Sequence, residues 1–278
     1  ENQSIFSNYI HEYVYKKIVV PGQGDARQFK RTGFDYSMSS GHIAIKPAKQ
    51  FVILFGHGKH FIGDGYRSLL LSDNAFNYPF LRIQTTFWKV KYTNLYAEMQ
   101  DLNHYESSNV NNYDYMGYAK KYMSSHHLSI NITKKLNVSL YEAIIWRTRY
   151  YAPGNKGFDV NYLNPITLLR PIEFSINSPD NFLAGLHTKY KLSFKTYVYG
   201  QLVLDEFTLD EMKNNNGYWA NKFGYQLGAK MYDAFKFDNL ILQAEYNFVR
   251  PYTYSHDNPL QNYAHYNQSL AHPIGANF

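Results

Sequence analysis

Cysteine is absent from this 278-residue chain, so it can build neither a disulfide framework nor a thiolate metal site. Long apolar runs are missing too: no stretch approaches the ~18 residues of a membrane-spanning helix, which excludes a helical membrane protein. A β-barrel is not excluded, because its strands are about ten residues long and alternate in polarity, so hydropathy averages hide them. Dense positive charge is also lacking, since the formal net charge of +6 is spread along the chain. Lys16-Lys17, Lys120-Lys121 and Lys134-Lys135 are isolated doublets that suit strand ends or turns better than nucleic-acid contacts. No secretory leader is present, and for an exported protein the opening ENQSIFSNYI points to a mature or partial chain. There is no GxGxxG or G-K-[ST] phosphate loop, no Gx-Ser-x-Gly element and no fixed repeat period.

What is abundant is aromatic side chain. Aromatics make up 18% of the chain, with 28 tyrosines, beside a mean hydropathy of −0.48. Tyrosine suits places where one end of a side chain is apolar and the other wet, such as a membrane interface or a carbohydrate surface.

The residues between Gly56 and Pro79, GHGKHFIGDGYRSLLLSDNAFNYP, follow the most apolar short run of the chain, Phe51–Phe55. Gly56, Gly58, Gly63 and Gly65 here imply positive φ or backbone pressed against a close neighbour. From Phe80 onward the period is two. Leu81, Ile83, Thr85 and Phe87 share one face, and Arg82, Gln84 and Thr86 the other. The same alternation recurs over Thr93–Gln100, Phe182–Asp205, Phe223–Asp233 and Leu240–Phe248. Glu142 interrupts it, which requires either a bulge or a carboxylate buried for a purpose. Asn103–Tyr115, Tyr150–Pro165 and Phe207–Ala220 read as long polar loops, alternating with tight turns. Long strands joined by two kinds of connection predict an antiparallel transmembrane β-barrel over residues 34–278, with residues 1–33 an N-terminal segment of a short helix or strand. About ten or eleven strands and a loop-like Ser255–Phe278 predict an incomplete barrel.

The glycine-rich block, together with RIQTTFWKVKYTNLYAEMQ, resembles the Wzi-type capsule-assembly family of outer-membrane β-barrels, in particular its gliding-motility-associated Bacteroidetes members. Arg170-Pro171-Ile172-Glu173-Phe174-Ser175 with Ser178–Asn181, and His265–Gly275, carry the same resemblance. It implies residence in the bacterial outer membrane, lipids as surroundings and a non-enzymatic role in surface-polysaccharide attachment or gliding-associated surface organisation. It also admits a structural role beside other proteins of an outer-membrane secretion or motility machine of the type IX kind. A soluble all-β carbohydrate-active enzyme is the contrasting reading.

Chemistry-bearing constellations are sparse. His57-x-x-His60 with Asp64 has zinc-ligand types but lacks a convergent set, so no metal and no cofactor is expected. Glu98, Glu142, Glu173, Asp205 and Glu245 are expected to pair with Arg82, Arg147, Arg170 or Lys189 inside a barrel, with no catalytic pair. Tyr218 and Trp219, and Tyr150 and Tyr151 with Phe158, are candidate glycan contacts; most other tyrosines are expected at the lipid interface. Gly56–Pro79 is expected to be a rigid element across the barrel mouth, with Asp64 and Arg67 paired to charges such as Glu98, Glu173 and Arg170.

Overall fold

In a computed structural model, the described residues are 8–30, 33–110, 113–147, 157–166, 180–205 and 222–275, with 104–117 described by backbone alone. The chain opens with helix α1 (Asn8–Lys17), then strands β1 (Val19–Val20), β2 (Gly24–Phe29) and β3 (Gly33–Tyr36), which form a small antiparallel sheet. Val14, Val20, Ala26 and Phe34 are its apolar centre.

Ten further strands form one antiparallel meander: β4 (Gly41–Ala48), β5 (Phe51–Gly58), β6 (Tyr78–Phe87), β7 (Val90–Val110), β8 (Tyr113–Asn131), β9 (Leu136–Arg147), β10 (Asn181–Lys191), β11 (Thr196–Asp205), β12 (Lys222–Met231) and β13 (Leu242–Val249). Each pairs only with its neighbours in sequence, and β4 and β13 are the two edges. The chain is therefore all-β and antiparallel, and the sheet does not close among the described residues. A bulge between Ile45 and Ala48 falls beside Pro47, which cannot donate to the ladder.

The 103–115 segment is a correction to the loop expectation. It is a hairpin whose strands keep pairing to Val110↔Tyr113, with a register shift between Asp101 and Tyr105. There β7 and β8 pair only with each other, beyond the ends of β6 and β9, so ladder bonds rather than an alternating apolar face define them. Glu142 sits in continuous register without a bulge.

One face of the sheet, here called inner, is covered by two segments. Residues 59–77, between β5 and β6, bring Leu69, Leu70 and Leu71 to complete burial. Residues 250–275 follow β13 and add Tyr254, Tyr263, Leu270 and Ala271 to the same core, with a two-residue hairpin of β14 (Ala264–His265) and β15 (Gln268–Ser269). Leu95, Ala97, Met99, Met123, Tyr141, Ala143, Ile145, Leu183 and Val203 receive them. His60 lies 4.3 Å from Phe80 of β6, while the backbone of Tyr66 reaches Glu245 of β13. Six residues span at most about 20 Å, yet seven strand spacings on a flat sheet would need about 34 Å. The sheet is therefore curled around the segment.

Leu70→Ala should lower unfolding stability by about 2–5 kcal/mol, as for other fully buried leucines. Leu227→Ala, at a side chain 61% exposed on the opposite face, should change it little. Equal losses in denaturant or heat melts would contradict this assignment of the core.

Candidate functional site

The inner face is built around residues 60–71, and the bonds that hold this plug are mostly from side chains to its backbone. Gln201 is central: its Oε1 accepts from the backbone of Leu69 at 2.7 Å, and its Nε2 donates to the carbonyl of Ile62 at 3.0 Å. Gln226 Nε2 donates to the Arg67 carbonyl at 2.8 Å. Tyr254 and Tyr263 hydroxyls donate to the carbonyls of Leu69 and Leu70 at 3.0 and 2.8 Å. Ile62 and Leu71 close a bridge across the base of the loop. A buried peptide group without a partner is costly, so these side chains are what permit an irregular segment to lie inside the sheet.

At the tip, Asp64 accepts from Lys189 Nζ at 2.6 Å and pairs with His187 Nε2 at 3.0 Å, while Lys230 Nζ reaches its carbonyl at 3.1 Å. Burial alone would raise the Asp64 carboxyl, but the hydrogen bonds from His187 and Lys189 outweigh it and hold it below the usual carboxylate range. Glu245 accepts from the Tyr66 backbone at 2.9 Å and from the Tyr199 hydroxyl at 2.7 Å. Gly63 has φ +141°, and a Cβ there would lie 2.4 Å from Gln201 Nε2. At Gly65 the obstacle is space, with Glu245, Gln226 and the Arg67 carbonyl all within 2.8 Å of a Cβ position. Gly56 and Gly58 end β5, opposite Phe80 and Tyr78, and a Cβ at Gly56 would lie 2.3 Å from the Gly41 carbonyl.

The expected ionic partners are corrected in detail. Asp64 does meet inward basic side chains, but they are His187 and Lys189. Arg67 pairs with Asp73 of the same segment at 3.4 Å, and Glu98 with Lys120 at 2.9 Å. Glu98 falls on the face of β7 opposite Ala97 and Met99, because the apolar core beneath the plug sets which phase of the alternation points inward. Glu142 is likewise on the outer face, paired across strands with His126 at 2.8 Å. Asp205 accepts from the Tyr254 backbone at 2.9 Å. Arg170, Glu173, Tyr150, Tyr151, Tyr218 and Trp219 lie outside the described residues, so the glycan-contact candidates there have no geometry to report. Phe158 is described, and packs edge-on to Tyr122 and Trp146 at 5.4 and 5.3 Å. His57, His60 and Asp64 diverge: His57 faces the Ser39 carbonyl and His60 the Tyr78 hydroxyl. Among the described residues no three His, Asp or Glu side chains converge as metal ligands would.

The pattern could have marked Gln201 and Gln226 as inward polar residues, but not as supports of the plug's backbone. Tyr254 and Tyr263 carried no signal, because their segment has no period, and His265 entered only through the resemblance of the closing run. His265 bridges two elements: its Nδ1 accepts from the Gln100 backbone and its Nε2 donates to the Asn77 carbonyl, both at 3.1 Å. Burial pushes its pKa down to about 3 and that of His60 to about 4.

No known family, curated protein or solved structure matches this chain.

Gly63→Val and Asp64→Asn should each lower folding yield and heat resistance. If either variant folds and melts like the parent, the plug is not a structural element. A second expectation concerns acid. His60 and His265 are neutral when folded and protonate near the ordinary histidine value of about 6.5 when unfolded. Their contribution is thus complete above about pH 6.5 and lost as pH falls toward their folded values; Asp64 adds a loss below the usual carboxylate range. The melting midpoint should fall on acidification below about pH 6.5. His60→Phe, which keeps the ring contact with Phe80, should flatten that slope, and a pH-independent midpoint would refute the linkage.

Proposed function

We propose that this chain is an antiparallel β-barrel protein of a bacterial outer membrane, with a non-enzymatic role in attaching surface polysaccharide or organising the gliding-associated cell surface. The observation that carries the membrane part is the outer face. Ile43, Ile45, Phe51 and Phe55 on β4 and β5, and Leu186, Leu202, Tyr225, Leu227, Tyr246 and Phe248 on β10–β13, are exposed. Monomeric soluble proteins rarely leave so large an apolar surface uncovered. At one end of the sheet the strands are joined by short turns, apart from the longer connection 232–241, and exposed Phe87, Trp88, Phe194, Phe235 and Phe237 sit at these connections. A row of aromatics at one height beside an apolar band is the arrangement expected at a membrane interface.

Of the polar groups on this face, Glu98 and Lys120 pair with each other, and three others are covered. Asn94, His126 and Glu142 are buried. Residues 157–166 lie over this part of the sheet, with Asn94 bonded to the Pro165 carbonyl and the Tyr96 hydroxyl to the Leu163 carbonyl. These polar groups are thereby shielded from a hydrocarbon environment in which they would be expensive. The polysaccharide part rests on the resemblance of the glycine-rich block to the capsule-assembly family.

The protein should fractionate with outer membranes and need detergent for release, resisting salt and carbonate washes. Leu227→Arg should lower the stability of the folded membrane form by about 2–4 kcal/mol if it lies near mid-bilayer. Recovery as a soluble monomer without detergent would overturn the membrane reading. Cells lacking the protein should release surface polysaccharide into the medium without shortening it; retained polysaccharide, or hydrolysis by the purified protein, would overturn the attachment role.

A further inference from the structure

Between the plug and the inner faces of β6–β8 lies a cavity of about 160 Å³. A bound water needs roughly 10–15 Å³ of such space, so about ten would fit. Its wall is one-sided in charge. Arg82 and Gln84 come from β6, Lys91 and Thr93 from β7, and Ser125 and His127 from β8, with residues 60–63 of the plug opposite them. Among the described residues no carboxylate lines it. Asp64, next to Gly63 in the plug, is turned to β10 and held by His187 and Lys189. Arg82 Nε and His127 Nε2 are both buried and find no hydrogen-bond partner among the described residues. Lys91 forms no ion pair among the described residues and stands exposed at the start of β7, just after the β6–β7 turn, so the opening is at the short-turn end.

A guanidinium nitrogen buried without a bonded acceptor is costly unless something supplies one. The field it leaves is felt nearby: burial first, and then the Arg82 charge, depress the pKa of His60. Arginine offers planar, forked donors that suit two oxygens of one anion, while lysine acts as a mobile point charge. Hydroxyls of Thr93 and Ser125 and the Gln84 amide can complete a shell around an oxyanion or the hydroxyls of an attached sugar.

We infer that this cavity is an anion-binding site, taking the carboxylate, phosphate or sulfate group of a small acidic ligand on Arg82 and His127, with Lys91 at its entrance. The inference does not rest on the membrane or polysaccharide reading, because the site belongs to the inner face whatever surrounds the outer one.

The test uses the purified full chain, in detergent if it requires it. D-glucuronate, inorganic phosphate, sulfate and neutral glucose are titrated at an ionic strength fixed with sodium chloride, following heat release and melting midpoint. Saturable binding and stabilisation by the acidic compounds, with none by glucose, is expected. Preference for glucuronate would place a sugar ring in the cavity, and preference for phosphate or sulfate a free oxyanion; both support the site. Arg82→Gln should weaken binding at least about tenfold and Lys91→Gln about threefold, in line with losing a charge-assisted bond and a rim charge. Without ligand, Arg82→Gln should melt no earlier than the parent, since Arg82 has no carboxylate partner to lose. No saturable binding by any anion, equal stabilisation by sodium chloride, or undiminished affinity in Arg82→Gln would each overturn the proposal. Should Arg82→Gln fail to fold, unchanged affinity in both Lys91→Gln and Ser125→Ala would do the same.

Discussion

An irregular peptide segment lies against the inner face of a curled sheet, and at Ser68–Leu71, where it is buried, its amides and carbonyls must find partners in the protein. That constraint organises the rest. Gln201 meets both a donor and an acceptor of the plug, Gln226 meets another carbonyl, and two tyrosine hydroxyls rise from the last segment to meet two more. Buried polar networks of this kind are favourable only when complete, because a missing partner leaves a desolvated group behind. The plug and residues 250–275 therefore form one unit with β10–β13, although nearly two hundred residues separate them in the chain.

The interior divides along the strands. In the middle it is apolar, with Leu70 and Leu71 set among Met99, Met123, Ile145 and Leu183. Toward the short turns it is polar, with Asp64, His187, Lys189, Lys230 and Glu245 engaged around the plug's tip. The outer face is largely apolar wherever no loop lies over it. That arrangement reverses the usual soluble one, in which the exposed face of a half-buried sheet is polar. The tyrosines follow the same logic. Tyr78, Tyr162, Tyr254 and Tyr263 are fully buried, and Tyr162, Tyr254 and Tyr263 spend their hydroxyls on partners inside, whereas the exposed ends of the short turns carry phenylalanine and tryptophan. The exposed rings at this end are thus largely phenylalanine and tryptophan.

Strand existence, strand type and the two alternating sets of side chains were legible in the sequence, because period-two patterning is local and needs no partner to be seen. Leu227 against Gln226, and Leu202 against Gln201, separate in the structure as the pattern separates them. The glycine density at 56–65 also signalled close backbone approach, and at Gly63 and Gly65 that is what the site contains. What only the tertiary structure decided is which set points inward on β7–β9. There the apolar phase, Leu95 with Ala97 and Met99, turns toward the plug, and the other phase, with Glu98 and Glu142, turns away. The partners of Asp64, the burial of residues 250–275 and the unpaired basic cavity belong to the same category. Each depends on contacts between residues far apart in the chain, and a pattern with a period of two records that a strand has two faces without recording what will lie against either.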